Sequence, residues 1–282
     1  MREIKSIDEM RSFAQRAKSH SKKLSLVPTM GALHEGHLSL VAEAKKRSDI
    51  VVVSIFVNPI QFGENEDFSR YPRDLKRDKK LLQSMGVDAL FLPQGREMYP
   101  EGFKTMVEVK GLSEKLCGRS RPDHFRGVTT VVTKLFAIVS PDCAFFGQKD
   151  YQQQAIIRQM VKDLNLPVEI AALPTVREFD GLALSSRNSY LSPEERKKAA
   201  MLYQTLTLAK DEIKKGERDA RKILSRAQSL LFSEPSIRLD YLQLVDPQSL
   251  EEVKKVKGPV VIALAAYIGK TRLIDNLTTE AE

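Results

Sequence analysis

Leu24-Ser25-Leu26-Val27 runs straight into Pro28-Thr29-Met30-Gly31-Ala32-Leu33-His34-Glu35-Gly36-His37, after which Leu38, Leu40, Val41 and Ala44 recur at helical spacing. The apolar run reads as a short buried strand and the periodic stretch as a helix, so the residues between them sit where a strand hands over to a helix. A helix start presents unpaired backbone N–H groups and the positive end of the macrodipole, a setting that suits an anion. Gly31 and Gly36 leave room for a phosphate or a base to approach the backbone. Two of the four histidines of the chain fall here, three positions apart. The stretch reads as a phosphate-handling site, most simply one for a nucleotide.

Two blander readings compete. His34 and His37 would serve as half of a zinc site, but the spacing is not His-Glu-x-x-His. His20 and His124 form no second ligand pair, and Cys117 and Cys143 are isolated. A structural turn with incidental histidines is the other reading. Neither accounts for two glycines with a strand before and a helix after.

The 282 residues suffice for one large domain or two ordinary ones, and an apolar content of 42% is compatible with a proper core. No stretch approaches the roughly 18 apolar residues of a membrane span, so no membrane partner is expected. Met1-Arg2-Glu3-Ile4-Lys5 carries charges and lacks an apolar signal core. Two well-separated cysteines give no disulfide framework, and a cytoplasmic location is expected. The net charge of +8 favours anionic partners such as nucleotides and phosphorylated metabolites. Much of it is a solvated helix face, as in Lys210-Asp211-Glu212-Ile213-Lys214-Lys215. No basic block is interleaved with aromatics, so nucleic acid is not an expected partner.

Ile7, Met10, Phe13 and Ala14 predict a first helix over 6–19. After the strand at 24–28 and a helix from about 37 to 47, Asp49 to Val57 is a near-continuous β-branched run, the mark of a parallel strand buried on both faces. It ends in Asn58-Pro59-Ile60-Gln61-Phe62-Gly63, and polar groups at such a strand end are where open α/β sheets bind ligands. Segment 64–73 is polar, and reads as a mobile lid or as a surface loop. A helix over 73–85, strands at 89–93 and 105–109, an apolar helix over 125–139 and a buried strand at 142–146 follow. Gly147-Gln148-Lys149-Asp150 then leads into a helix, and Val168 to Leu173 supplies another strand. Strands alternating with helices imply right-handed crossovers and an α/β fold with a Rossmann-like, doubly wound parallel sheet over 1–176.

The pattern changes beyond that point. Ala183 to Asn188 is a polar loop, and Ser192-Pro193-Glu194-Glu195 opens a helix with a cap and a first-position proline. Helices over 193–215 and 218–232, then strands at 239–245, 259–267 and 271–277, predict a smaller α+β domain over 177–282.

Three strand ends thus carry polar clusters, at 30–37, 58–61 and 147–153, and the junction adds Ser185-Ser186-Arg187. Imidazoles, Lys149, Arg187, hydroxyls and backbone N–H groups are donors for phosphates; the amides of Asn58, Gln61 and Gln153 suit a polar organic substrate. A Walker-type loop is absent, as are Gly-x-Ser-x-Gly and a plausible Cys–His nucleophile. Chemistry without a covalent enzyme intermediate is favoured.

His34-Glu35-Gly36-His37 resembles the His-x-Gly-His signature of the nucleotidyltransferase superfamily that includes class I aminoacyl-tRNA synthetases. PTMGALHEGHLSL (28–40), NPIQFG (58–63), FGQKDYQQ (146–153) and LSSRNSYLS (184–192) together closely resemble the pantothenate synthetase (pantoate–β-alanine ligase) family across nearly the whole chain. The resemblance implies ATP and pantoate reacting to pantoyl adenylate and pyrophosphate, with β-alanine then displacing AMP. It implies a homodimer as well. It would give His34 and His37 to the triphosphate, His37 as candidate acid, and lay Met30, with Gly31 beside it, along the nucleotide. Gly147 and Asp150 match ribose positions, Lys149 and Arg187 positions that meet phosphates, and Val176 one near the adenine. Asn58, Gln61 and Gln153 match pantoate positions, with Gln61 also near β-alanine, and Ser185, Ser186 and Arg187 match the loop that grips the outer phosphates. Magnesium is expected with unknown ligands, Asp78 being a candidate by position, although Arg77 departs from the paired acids of some members.

The physical reading runs beside that resemblance. A carboxylate attacking the α-phosphorus brings two anions together, so cations and donors have to offset charge there. A neutral imidazole at a helix N-terminus can donate to phosphate, because the dipole disfavours its protonation. Gln152 and Gln154 read as a solvated first helical turn. Arg121 and His124 suit a structural loop as well as they suit the site.

Overall fold

The chain opens in the computed structural model, which describes residues 1–64 and 66–281, with a strand that its sequence pattern does not announce, β1 (Arg2–Ile4). There follow α1 (Ile7–Ser19), β2 (Leu24–Thr29), α2 (Glu35–Arg47), β3 (Ile50–Ile55), α3 (Leu75–Ser84), β4 (Ala89–Phe91), the short α4 (Gly95–Met98) and α5 (Cys117–Ser120), α6 (His124–Val139), β5 (Cys143–Gly147), α7 (Tyr151–Asp163) and β6 (Glu169–Leu173). The six strands form one sheet in the order β1-β4-β3-β2-β5-β6, with every neighbouring pair parallel. From β2 the chain works outward to β3 and β4, then crosses to β5 and β6 on the other side. Strand order therefore reverses between β2 and β5, and the carboxyl ends of those strands flank a crevice.

Residue alternation explains the apolar runs. Leu26 and Val52 face a core shared with α1, α6 and α7, whereas Val27, Val51 and Val53 face a second core under α2 and α3. Neither face of β3 meets water, so nothing in its sequence needs to be polar. The strand expected at 105–109 does not form. Hydroxyls of α6 take its backbone instead: Thr130 Oγ1 accepts the Val107 N–H at 3.0 Å and Thr129 Oγ1 donates to the Val107 carbonyl at 2.6 Å. Segment 64–73 includes Asn65, which lies outside the described residues. Within the rest of it, Arg73 gathers the carbonyls of Phe68, Ser69 and Tyr71.

The remainder is α8 (Pro193–Lys214), α9 (Ala220–Phe232) and an antiparallel sheet of β7 (Ile237–Val245), β8 (Val260–Ile268) and β9 (Thr271–Thr279) in sequence order. Ser192 and Glu195 form a reciprocal cap at the start of α8 with Pro193 in the first turn, the arrangement their spacing announces. Both helices bury their apolar faces on one side of this sheet. The seam with the larger sheet is apolar, with Leu116 packed among Val245, Leu250, Val261 and Ala263. It is also tethered, because Asn276 Nδ2 donates to the carbonyls of Gln148 and Lys149 at 3.1 and 2.8 Å. Among the described residues no helix is long and apolar enough to cross a membrane.

Candidate active site

The loop from β2 to α2 is held from below. Gly31 and Ala32 both adopt positive φ, 81° and 51°. A side chain at Gly31 would press within 3.0 Å of Ile55 and 3.1 Å of Asp78, so both the tight space and the positive φ favour glycine there. Asp78, buried in the first turn of α3, accepts the Ala32 and Leu33 N–H groups at 2.9 and 2.8 Å, one on each oxygen. Arg77 donates to the Leu33 carbonyl at 3.2 Å. The carboxylate of Asp78, the magnesium candidate by position, organises this loop.

That loop delivers His34 to the N-cap of α2 and His37 to its third position, where the two form a reciprocal cap. Nδ1 of His34 accepts the Gly36 N–H at 3.2 Å, and Nδ1 of His37 accepts the His34 N–H at 3.4 Å. A neutral imidazole that accepts at Nδ1 carries its proton on Nε2. Both rings are neutral: burial, then the Lys149 charge, lowers His34 to about 4, and burial, then His34 and Lys149, lowers His37 to about 3. The helix start thus supplies two Nε2–H donors as well as its own backbone. The rings sit 4.2 Å apart, centroid to centroid.

Both line a cleft at the reversal of strand order, with an inner chamber of about 230 Å³ and an outer one of about 920 Å³. Met30 joins the histidines from the end of β2, and Asn58 and Gln61 come from the end of β3. The end of β5 contributes Gly147, Lys149 and Asp150, the first turn of α7 adds Gln153, and Val176 follows β6. Ser185, Ser186 and Arg187 complete the chamber from the loop before α8. Ser186 Oγ donates to the Ala32 carbonyl at 3.2 Å, which fastens this loop to the first. Every site residue read from the sequence lies in or beneath this cleft; Gly31 and Asp78 are the two beneath it.

The amides form a chain. Tyr99 Oη donates to Asn58 Oδ1 at 2.7 Å; Asn58 Nδ2 donates to Gln61 Oε1 and to the Gly127 carbonyl, both at 3.0 Å; Gln61 Nε2 points to Met30 Sδ at 3.1 Å. His124, lowered to about 3 by burial and then by Arg121, is neutral. Its Nδ1 donates to the Gln61 carbonyl at 2.7 Å, and its Nε2 accepts from Arg121 Nη1 at 3.0 Å.

Three cleft arginines carry carboxylate partners. Arg121 makes two 2.6 Å bonds to Glu66, Arg187 binds both oxygens of Asp67, and Arg272 lies 2.7 Å from Asp240. Arg121 and His124, ambiguous in the sequence, join the site here, and so do Glu66, Asp67 and Tyr99, which no local pattern marks because their partners lie 55, 120 and 41 residues away. Gln152, expected in a solvated turn, is buried; it accepts the Cys117 N–H at 3.0 Å and donates to the Leu112 and Lys115 carbonyls at 2.9 and 2.6 Å. Among the described residues no group of three or more His, Cys, Asp or Glu side chains is arranged to hold a metal.

A family profile described as pantoate–β-alanine ligase matches residues 2–278. Pantothenate synthetase of Caldicellulosiruptor bescii is 56% identical over 279 residues, covering 99% of both chains. A crystal structure of pantothenate synthetase from Thermus thermophilus superposes with a TM-score of 0.94 at 48% identity, over 98% of this chain and 99% of that one. Pantoate–β-alanine ligase from Francisella tularensis, solved with "beta-gamma ATP" and β-alanine, superposes with a TM-score of 0.82 at 37% identity, over 98% and 97%.

Proposed function

The chain belongs to the pantoate–β-alanine ligase family, and from that premise we propose that it condenses pantoate with β-alanine through a pantoyl adenylate, releasing pyrophosphate and then AMP. The observation that carries the reading is the pair of neutral, Nε2-protonated imidazoles at the start of α2, set beside Lys149 at the reversal of strand order. Such donors suit phosphate oxygens and cost no proton transfer to recruit.

In the first half-reaction the pantoate carboxylate attacks the α-phosphorus of ATP, forming a mixed anhydride as the bond to the bridging oxygen of pyrophosphate breaks. Lys149 and the two imidazoles offset the repulsion between the anions, each donor being worth on the order of 3 kcal/mol in the barrier. Ser185, Ser186 and Arg187 grip the outer phosphates, Met30 and Val176 flank the nucleotide, and Gly147 and Asp150 meet its ribose. Gln61 and Gln153 hold pantoate, with Asn58 behind Gln61. In the second half-reaction the β-alanine amine attacks the acyl carbon and AMP leaves. Water or the departing phosphate takes the amine proton. Holding both partners in one cleft converts bimolecular steps into local ones.

Magnesium belongs to this reading as part of the ATP complex. With no protein cage for the ion among the described residues, phosphate oxygens and water would supply most of its ligands. A division near residue 176, a homodimer and a cytoplasmic location are part of the same proposal. The separate cores of the two sheets support the first of these. Mixing the protein with ATP, magnesium, D-pantoate and β-alanine and weighing the products tests the chemistry. Pyrophosphate should appear with ATP and pantoate alone, and AMP and pantothenate only once β-alanine is added. A mixture that yields no pantothenate overturns the assignment.

A further inference from the structure

Behind Gln61 the polarity of the amide chain can be deduced from one fixed point. The Gly127 carbonyl can only accept, so Asn58 must turn its nitrogen toward it. The Asn58 oxygen then faces Tyr99, whose hydroxyl must donate. Burial pushes the Tyr99 phenol well above its usual range, so it keeps its proton. The second N–H of Asn58 goes to Gln61, which is compelled to present its oxygen there. Gln61 Nε2 is left facing the chamber, where its partner among the described residues is the Met30 sulfur. A thioether is a weak acceptor, so a substrate carboxylate or hydroxyl oxygen would displace it.

We infer that Tyr99 is a positioning residue that, together with the Gly127 carbonyl, holds Asn58 in the orientation that leaves Gln61 a donor-only contact for the acid substrate. The inference rests on the ligase reading above. Asn58, 1% exposed and engaged at both ends, relays polarity to Gln61. The Tyr99 ring is held where its hydroxyl meets Asn58: it packs edge-on against Phe103 with centroids 5.1 Å apart, and the Lys134 ammonium lies over it at 5.8 Å. Without the phenolic proton the buried Asn58 oxygen has no donor among the described residues, and the amide pair gains a reason to rotate toward other partners. A donor-only Gln61 favours acids whose oxygens accept at that point and rejects those presenting an N–H there.

Tyr99→Phe keeps the ring and removes the proton. The Michaelis constant for pantoate, read from pyrophosphate release, should rise about tenfold while that for ATP stays unchanged. A role confined to packing would shift both constants or only the melting temperature, and either result overturns the inference. In a Gln61→Ala background, Tyr99→Phe should change the pantoate constant no further; an additive effect also overturns it. Calorimetric titration of the wild-type protein with pantoate separates the two levels. If pantoate neither binds nor turns over, the ligase reading falls and the inference with it. If pantoate binds and reacts but Tyr99→Phe is silent, the inference alone falls.

Discussion

Arg187 donates through Nε and Nη2 to the two oxygens of Asp67, at 2.9 and 2.8 Å, across 120 residues of sequence. The guanidinium proposed for the outer phosphates of ATP is therefore already holding a carboxylate in the geometry a phosphate would take. Tyr190 reinforces the arrangement by donating to Asp67 at 3.2 Å. On the proposed assignment, binding ATP would exchange one anion for another.

Asp67→Asn removes the competing charge and should tighten ATP. For a half-buried pair the effect is about 1 kcal/mol, roughly a fivefold fall in the Michaelis constant for ATP. Initial rates of pyrophosphate release at varied ATP measure it. An unchanged constant would mean that Arg187 keeps Asp67 when the nucleotide binds.

Lys149→Ala should slow pyrophosphate release by at least a hundredfold, on the scale of ~3 kcal/mol for one lost charge-stabilising donor. His34→Ala should do the same to the first half-reaction, yet leave amide formation from supplied pantoyl adenylate nearly intact, since pyrophosphate has gone by then. Single-turnover rates from ATP and from the adenylate separate the steps. If His34→Ala slowed both equally, its assignment to the departing phosphates would be wrong.

The depressed imidazoles carry a pH signature. His34 and His37 titrate near 4 and 3 in the folded chain and near 6.5 when unfolded. Between those values the unfolded chain binds protons that the native one refuses. Stability is therefore intact above pH 6.5 and is lost as pH falls from 6.5 toward 4, each ring adding up to about 1.4 kcal/mol per pH unit. His37→Gln should make that decline shallower. Urea unfolding at steps from pH 7.5 to 4.5 reads it, and an unaltered slope would show that His37 protonates freely in the native state.

Gly127 lets α6 approach the turn that carries Gln61. A Cβ there would lie 2.4 Å from the Ile60 carbonyl oxygen and 2.7 Å from Gln61 Cα, against backbone that cannot swing aside. Gly127→Ala should cost about 1–3 kcal/mol of stability and weaken pantoate more than ATP. Chemical denaturation and the two Michaelis constants check this; a fully stable variant would mean that the helix shifts at little cost.

Local periodicity made most of the fold legible, because a buried parallel strand has no freedom to be polar and a capped helix declares its start. The β2–α2 loop was readable for the same reason: two glycines and two histidines lie between a strand and a helix. What escaped depends on distant partners. β1 has three residues, too few for a period, and exists because β4 offers it an edge. Residues 105–109 have the composition of a strand, but Thr129 and Thr130 satisfy Val107 before any neighbour strand can. Gln152 looked solvated because nothing nearby in sequence foretells that Cys117, Leu112 and Lys115 would close on it. Tyr99 gave no signal at all, since its worth lies in which end of Asn58 it meets.

The three arginine–carboxylate pairs around the cleft also bear on kinetics of encounter. Glu66, Asp67 and Asp240 neutralise Arg121, Arg187 and Arg272 at close range, so the field these arginines project into solvent is that of dipoles. The chain's surplus of +8 therefore exaggerates how strongly this mouth draws a polyanion over long distances. Nucleotide capture is left to contacts made after collision, and its bimolecular rate should depend only weakly on ionic strength.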